Sequence, residues 1–166
     1  MEEINYGLNG AFTVIYFDGK YLFIKRKDKG TWDLPGGGFD PSETNFTLIA
    51  IREAWEEIGL KISEEQMVLY AVLGQRLRKE AREKYNTEKG LLFLQYVILH
   101  EKPIINLGNE HTEYRLFSYT EIITNWKSFS SGPLWIFFAF LNYQQTHKIQ
   151  KGELRDYSVW QGIDYR

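Results

Sequence analysis

The 166-residue sequence contains no cysteine, only four prolines and only three histidines. Without cysteine there is no disulfide framework, no thiolate nucleophile and no cysteine-based zinc site. His100 and His147 have no partners at metal-ligand spacing, which removes the familiar histidine-metal patterns. Charge of one sign is also missing: 20 Lys and Arg stand against 22 Asp and Glu. The net charge of -2 supplies no broad electropositive field, so no long nucleic acid is expected as a partner. Long apolar runs are absent too. The segment Leu134 to Leu141 is too short to cross a bilayer, and the start MEEINYGLNG lacks the basic and apolar parts of a secretory signal. No membrane association and a cytoplasmic location are therefore the expectation. No internal repeat, low-complexity tract or linker divides the chain, so residues 1–166 are read as a single domain.

Apolar residues make up 43% and charged residues 25%, a globular composition that can bury a core at this length. GAFTVIYF and KYLFIKRK flank Asp18-Gly19 and are expected to form a hairpin. A short strand at Thr31 to Leu34 leads into Pro35-Gly36-Gly37-Gly38, where three consecutive glycines are expected to exclude regular structure and allow close backbone approach. A helix follows over about Asn45 to Ile58, with Gly59 at its C-terminal cap. Further strands are expected at Met67 to Leu73, Leu91 to His100 and Tyr114 to Tyr119. A short helix follows from about Thr120, and an aromatic helix lies near Leu134 to Tyr143. The charged segment RLRKEAREKYNTEKG reads as a solvated helix or hairpin loop, with a role over the active site as the alternative. The tail from His147 to Arg166 packs on the domain, reaches a second subunit or stays loose.

On a helical wheel at about 100° per residue, Arg52, Glu56, Glu53 and Glu57 occupy one arc, and Leu48, Ile51, Ala54, Trp55 and Ile58 the opposite one. The second arc is the expected buried face. Three carboxylates on one short arc repel each other unless a cation compensates, and a hard divalent ion such as Mg2+ takes oxygen ligands of this kind.

LPGGGFDPSET followed by AIREAWEEIGL closely resembles the box of the Nudix hydrolase family, G-x5-E-x7-R-E-U-x-E-E-x-G-U, with U aliphatic. Gly37 opens the pattern, Glu43 is its first glutamate, and Arg52-Glu53, Glu56-Glu57 and Gly59-Leu60 fill the remainder. Eight residues rather than seven separate Glu43 from Arg52. The extra one is expected as a bulge near Thr44-Asn45, which leaves the role of Glu43 open. The resemblance spans roughly Gly10 to Ile122 and implies an α+β fold, an α/β/α sandwich with a mixed sheet between helices.

It also implies hydrolysis of a phosphoanhydride bond in a nucleoside diphosphate-linked small molecule, such as a nucleoside triphosphate or a nucleotide sugar. Mg2+ is the implied cofactor, with Mn2+ as a substitute, held by Glu53, Glu56, Glu57 and the carbonyl of Gly36. Catalytic roles fall to Glu53, Glu57 and Arg52. The general base comes from Glu53 or Glu57, or from a later loop carrying Glu110, His111 and Glu113, with Glu110 foremost. Arg26, Trp32, Gly37 and Gly38 are expected at the substrate. A homodimer is left open. An isomerase of the same fold is excluded, since such enzymes use a cysteine. A non-catalytic nucleotide-binding or regulatory module is the remaining alternative.

Overall fold

The computed structural model describes residues 7–39, 43, 45–155 and 161–163. Strands β1 (Gly7–Phe17) and β2 (Lys20–Arg26) pair antiparallel, with Tyr16 opposite Tyr21. Asp18 and Gly19 both have positive φ, 48° and 76°, the turn whose twist matches that of the strands it joins. On its other edge β1 runs parallel to β6 (Lys89–Leu99), which pairs antiparallel with β5 (Val68–Arg76). The sheet continues through β8 (Ile149–Glu153), parallel to β5, to β9 (Gln161–Ile163). Beyond β2 lie β3 (Trp32–Asp33) and β7 (His111–Phe117). The result is a mixed sheet in the order β3-β2-β1-β6-β5-β8-β9, with β7 on β2.

Period-two alternation along the central strands separates two cores. On β1 and β2, Val14 and Phe23 face one side, while Ile15, Leu22 and Ile24 face the other. The first side is covered by α4 (Ser131–Thr146), whose Phe137 and Phe140 meet Tyr21 edge to face at 4.7 and 6.0 Å. The second is covered by α1 (Phe46–Ile58), through Ala54 and Ile58. Helices α2 (Lys79–Tyr85) and α3 (Tyr119–Thr124) occupy connections. The α/β/α sandwich expected from the sequence is thus the fold observed. Among the described residues, no helix is long and apolar enough to cross a membrane.

Two local expectations are corrected. The glycine run is regular after all: Gly36–Gly38 form β4, paired antiparallel with β1 through Gly10↔Gly38 and Phe12↔Gly36. Glycine leaves room there for an extended strand laid against another backbone. On α1, Leu48 and Trp55 are exposed, at 49% and 52%. The buried arc instead runs from Ile49 through Ala50 and Ala54 to Ile58, which carries Glu53 and Glu57 inward. Of the three placements open to the tail, its described residues take the first, packing on the domain: β8 and β9 join the sheet and cover the edge of β5. The charged segment after β5 does form a solvated helix, α2, with no buried residue.

Candidate active site

Helix α1 sets the geometry. Asn45 caps its start, accepting from the Thr47 and Leu48 amides at 3.0 and 3.1 Å, and Gly59 ends it in the left-handed region at φ 66°. Because Asn45 is extended and the helix begins at Phe46, the extra residue of the box lies ahead of the helix; Thr44 is outside the described residues. Glu43 nevertheless reaches its partner. Arg52 Nε and Nη2 donate to its two carboxylate oxygens at 3.0 and 3.2 Å, a bidentate pair.

Arg52 also gathers Glu53 at 3.1 Å and Glu56 at 3.0 Å through Nη1. One guanidinium therefore serves three carboxylates and leaves Glu57 without an ion pair to it. Glu57 accepts a long hydrogen bond from the Gly36 amide, 3.4 Å. The Glu53 carboxylate lies over Gly37 so closely that a Cβ there would sit 2.5 Å from its Oε1. Glycine at 37 is what admits the carboxylate. The side chains of Glu53 and Glu57 are only 14% and 13% exposed, whereas Glu56 is 55% exposed and points outward.

Two carboxyls this close and this buried do not both ionise readily. Burial, then the charge of Glu53, pushes the Glu57 carboxyl up to about 9, and burial also raises Glu53. This donor set fits a divalent cation, which would replace the shared proton and relieve the repulsion. Among the described residues, no three His, Asp or Glu side chains form a complete metal-holding group. The protein therefore supplies part of a ligand shell, the arrangement suited to an ion that keeps waters and takes substrate oxygens.

The loop before β7 packs on the end of α1. The Asn106 and Gly108 amides cap the Ile58 and Glu57 carbonyls, each at 2.8 Å. This contact brings His111 beside Glu57, Nε2 to Oε2 3.8 Å, and burial lowers the imidazole pKa. Glu110 is exposed at the same wall, and its carbonyl holds the Lys27 amide at 2.9 Å. Glu113 is displaced from the site and pairs with Lys25 at 3.5 Å.

Glu57, Gly36, Gly37, Arg26, Glu110 and His111 line one cleft of about 610 Å³. Its other wall is partly apolar, with Phe12, Leu92, Phe129 and Ile136. Arg26 is held by Asp28 through two hydrogen bonds of 2.9 and 3.0 Å. Two expected substrate residues are placed elsewhere. Trp32 is 7% exposed and packs on Phe117 in the core, since its strand turns that face inward. Gly38 lies opposite Gly10 and does not line the cleft.

Sequence reasoning missed Asp33, Arg78 and Arg155, all of which line the cleft. Asp33 stands next to Trp32 and was overshadowed by it. The two arginines sit in a charged run and a tail that carry no periodic signal.

A NUDIX domain model matches residues 7–134, and the chain belongs to that family. It is 44% identical over 57 residues to a MutT-like protein of Streptomyces ambofaciens, covering 34% of this chain and 36% of that one. It is 35% identical over 85 residues to a putative 8-oxo-dGTP diphosphatase of Bacillus subtilis, covering 51% and 50%. The chain thus spans half or less of the length of these relatives. The fold is shared with a bifunctional NMN adenylyltransferase/ADP ribose pyrophosphatase of Francisella tularensis solved with AMP and a manganese ion. That match has a TM-score of 0.62 at 16% identity and covers 87% of this chain and 43% of the other.

Proposed function

We infer that this chain is a Mg2+-dependent pyrophosphohydrolase that cleaves a phosphoanhydride bond in a nucleoside diphosphate-linked molecule, a nucleoside triphosphate or a nucleotide sugar. The carrying observation is the buried Glu53–Glu57 pair set against the Gly36-Gly37 strand, with Glu57, Gly36 and Gly37 lining the cleft and Glu53 directly behind Gly37. Glu53 and Glu57, with the Gly36 carbonyl, are the residues to hold Mg2+ or Mn2+, while Glu56, expected as a third carboxylate ligand, points outward and pairs with Arg52. A bound divalent ion supplies charge neutralisation of the phosphates and a more acidic water. Arg52 keeps Glu53 in place through its 3.1 Å contact while Glu43 fixes the guanidinium from the other side.

In the reaction, water adds to one phosphorus and the bond from that phosphorus to the bridging oxygen breaks. The products are a nucleoside monophosphate-type compound and a second phosphorylated compound. Glu110 is the acceptor for the water's proton, and His111, neutral in its buried position, holds the wall beside Glu57. The apolar wall at Phe12 and Phe129 offers a face for the nucleobase. The names borne by the relatives, a diphosphatase and a pyrophosphatase, support the same reaction class.

The test is a screen of nucleoside triphosphates, nucleoside diphosphate sugars and dinucleoside polyphosphates with Mg2+, reading released phosphate products. Chelator-sensitive turnover of at least one class is expected. Nucleotide binding with no turnover of any member would assign the chain to the binding modules instead.

A further inference from the structure

The cleft continues past the carboxylates into a second cavity of about 890 Å³, and Arg26, Lys29, Gln75, Arg78, Leu154 and Arg155 line both. Among the described residues, six cationic side chains and two acidic ones line this annex, in a chain whose net charge is -2. The acids are already engaged: Asp28 with Arg26 at 2.9 Å and Glu153 with Lys89 at 3.0 Å. Lys29, Arg76, Arg78 and Arg155 have no carboxylate within ion-pair distance among the described residues.

A scatter of solvated surface cations would be the ordinary explanation, but the backbone at Arg155 argues against it. Arg155 has φ 69°, and the other non-glycine residues with positive φ among the described residues are Asp18, Asn86 and His147, types that tolerate this region. An arginine there is held by its surroundings. The Leu154 amide bonds the Gly74 carbonyl at 2.7 Å, and Arg155 Nη2 donates to Ser131 Oγ at 3.1 Å. The guanidinium is thereby fixed at the rim shared by the two cavities. Among the described residues no aromatic lines the annex; Leu77, Ala81 and Leu154 are the apolar ones there, and none offers a base a ring to stack on.

We propose that this annex binds phosphates of the substrate beyond the diphosphate at Glu53 and Glu57, so that the chain selects substrates with three or more linked phosphates over nucleotide sugars. The inference rests on the hydrolase reading above and adds to it the substrate class. Arg78, at the start of α2, and Arg155, from the turn after β8, are the specificity-determining residues, with Lys29 and Arg76 adding charge. A neutral sugar placed in the annex would leave these cations unmatched.

The test uses Arg78→Gln and Arg155→Gly; glycine at 155 accommodates the positive φ and so protects the fold. The readout is the ratio of kcat/KM for a nucleoside triphosphate to that for the matching nucleoside diphosphate glucose. The wild type is expected to favour the triphosphate at least tenfold, with the ratio falling about tenfold in each variant and falling with added salt. A ratio that stays within twofold of wild type in both variants would overturn the proposal.

A second arm measures calorimetric binding of inorganic tripolyphosphate to the metal-free protein, expected to weaken about tenfold in each variant. Binding that is absent, or equal in all three proteins, overturns the annex whatever the turnover. If no nucleotide is cleaved but tripolyphosphate binds through Arg78 and Arg155, the hydrolase reading fails while the anion site stands. Competition of tripolyphosphate with the nucleoside triphosphate, without its own cleavage, identifies the nucleotide's tail as the natural occupant. Cleavage of tripolyphosphate faster than the nucleotide assigns the annex to free phosphate chains.

Discussion

Replacing Glu57 by Gln separates the electrostatics of the site from its chemistry. In the metal-free protein the Glu57 carboxyl rises from 4.5 to about 9, through burial first and the Glu53 charge second. Its folded pKa lies above its unfolded one, so the native state holds the extra proton. Stability contributed by this group is greatest below pH 4.5 and is lost progressively up to about pH 9. At pH 7 the distance from the unfolded pKa is about 2.5 pH units, which corresponds to about 3 kcal/mol. Gln has nearly the same volume, can still accept from the Gly36 amide and needs no proton. Glu57→Gln is therefore expected to be about 3 kcal/mol more stable than wild type at pH 7 in chelator, the gap closing toward pH 4.5. Guanidinium unfolding followed by tryptophan fluorescence at pH 5 and pH 7 measures this directly. Adding Mg2+ at about a hundredfold over its Kd should return about 2.7 kcal/mol to wild type and little to the variant. A variant no more stable than wild type at pH 7, or a gap that fails to widen from pH 5 to pH 7, refutes the coupled-carboxylate account.

Gly37→Ala places a Cβ 2.5 Å from the Glu53 carboxylate and is expected to lower Mg2+-dependent turnover by at least tenfold; wild-type steady-state rates would show that Glu53 does not need that approach. Arg52→Gln releases Glu43, Glu53 and Glu56 from their common partner and should weaken Mg2+ affinity or turnover by about 10- to 100-fold, read by metal titration of activity. Asp33 is raised from 3.8 to about 6 by burial, so its ionisation opposes folding as pH rises through that window. Asp33→Asn should gain on wild type by up to about 3 kcal/mol between pH 4 and pH 7 and then level off, measured by denaturant unfolding.

The strands were legible where alternation was strong, as in GAFTVIYF and KYLFIKRK, because one sheet face packs on α1 and the other on α4. Helix α1 was legible in its span and in its C-terminal cap Gly59, while Asn45, read as its first residue, is the extended N-cap. Its buried face was misjudged, since hydrophobicity alone points Trp55 and Leu48 inward. The sheet instead meets the small residues Ala50 and Ala54, and the flanking carboxylates go inward with them. The glycine strand β4 was invisible because no propensity favours three glycines in a ladder; only the partner β1 makes it one. Glu43 and Arg52 were assigned by pattern alone, yet their pairing survives the extra residue because the insertion falls ahead of the helix. Of the cleft's cations Arg26 could be read from sequence, but Arg78 and Arg155 could not, for they come to one cleft only through the parallel pairing of β5 with β8.

In the proposed hydrolase, Glu53 and Glu57 together hold the ion on which phosphoanhydride cleavage depends. Steady-state turnover of the best nucleotide substrate by Glu53→Gln and Glu57→Gln at saturating Mg2+, with circular dichroism to establish the fold, tests it most directly. The expected result is kcat reduced by about three orders of magnitude or more in each variant with an unchanged spectrum. Full turnover in both variants, or wild-type activity that persists in chelator, would contradict it.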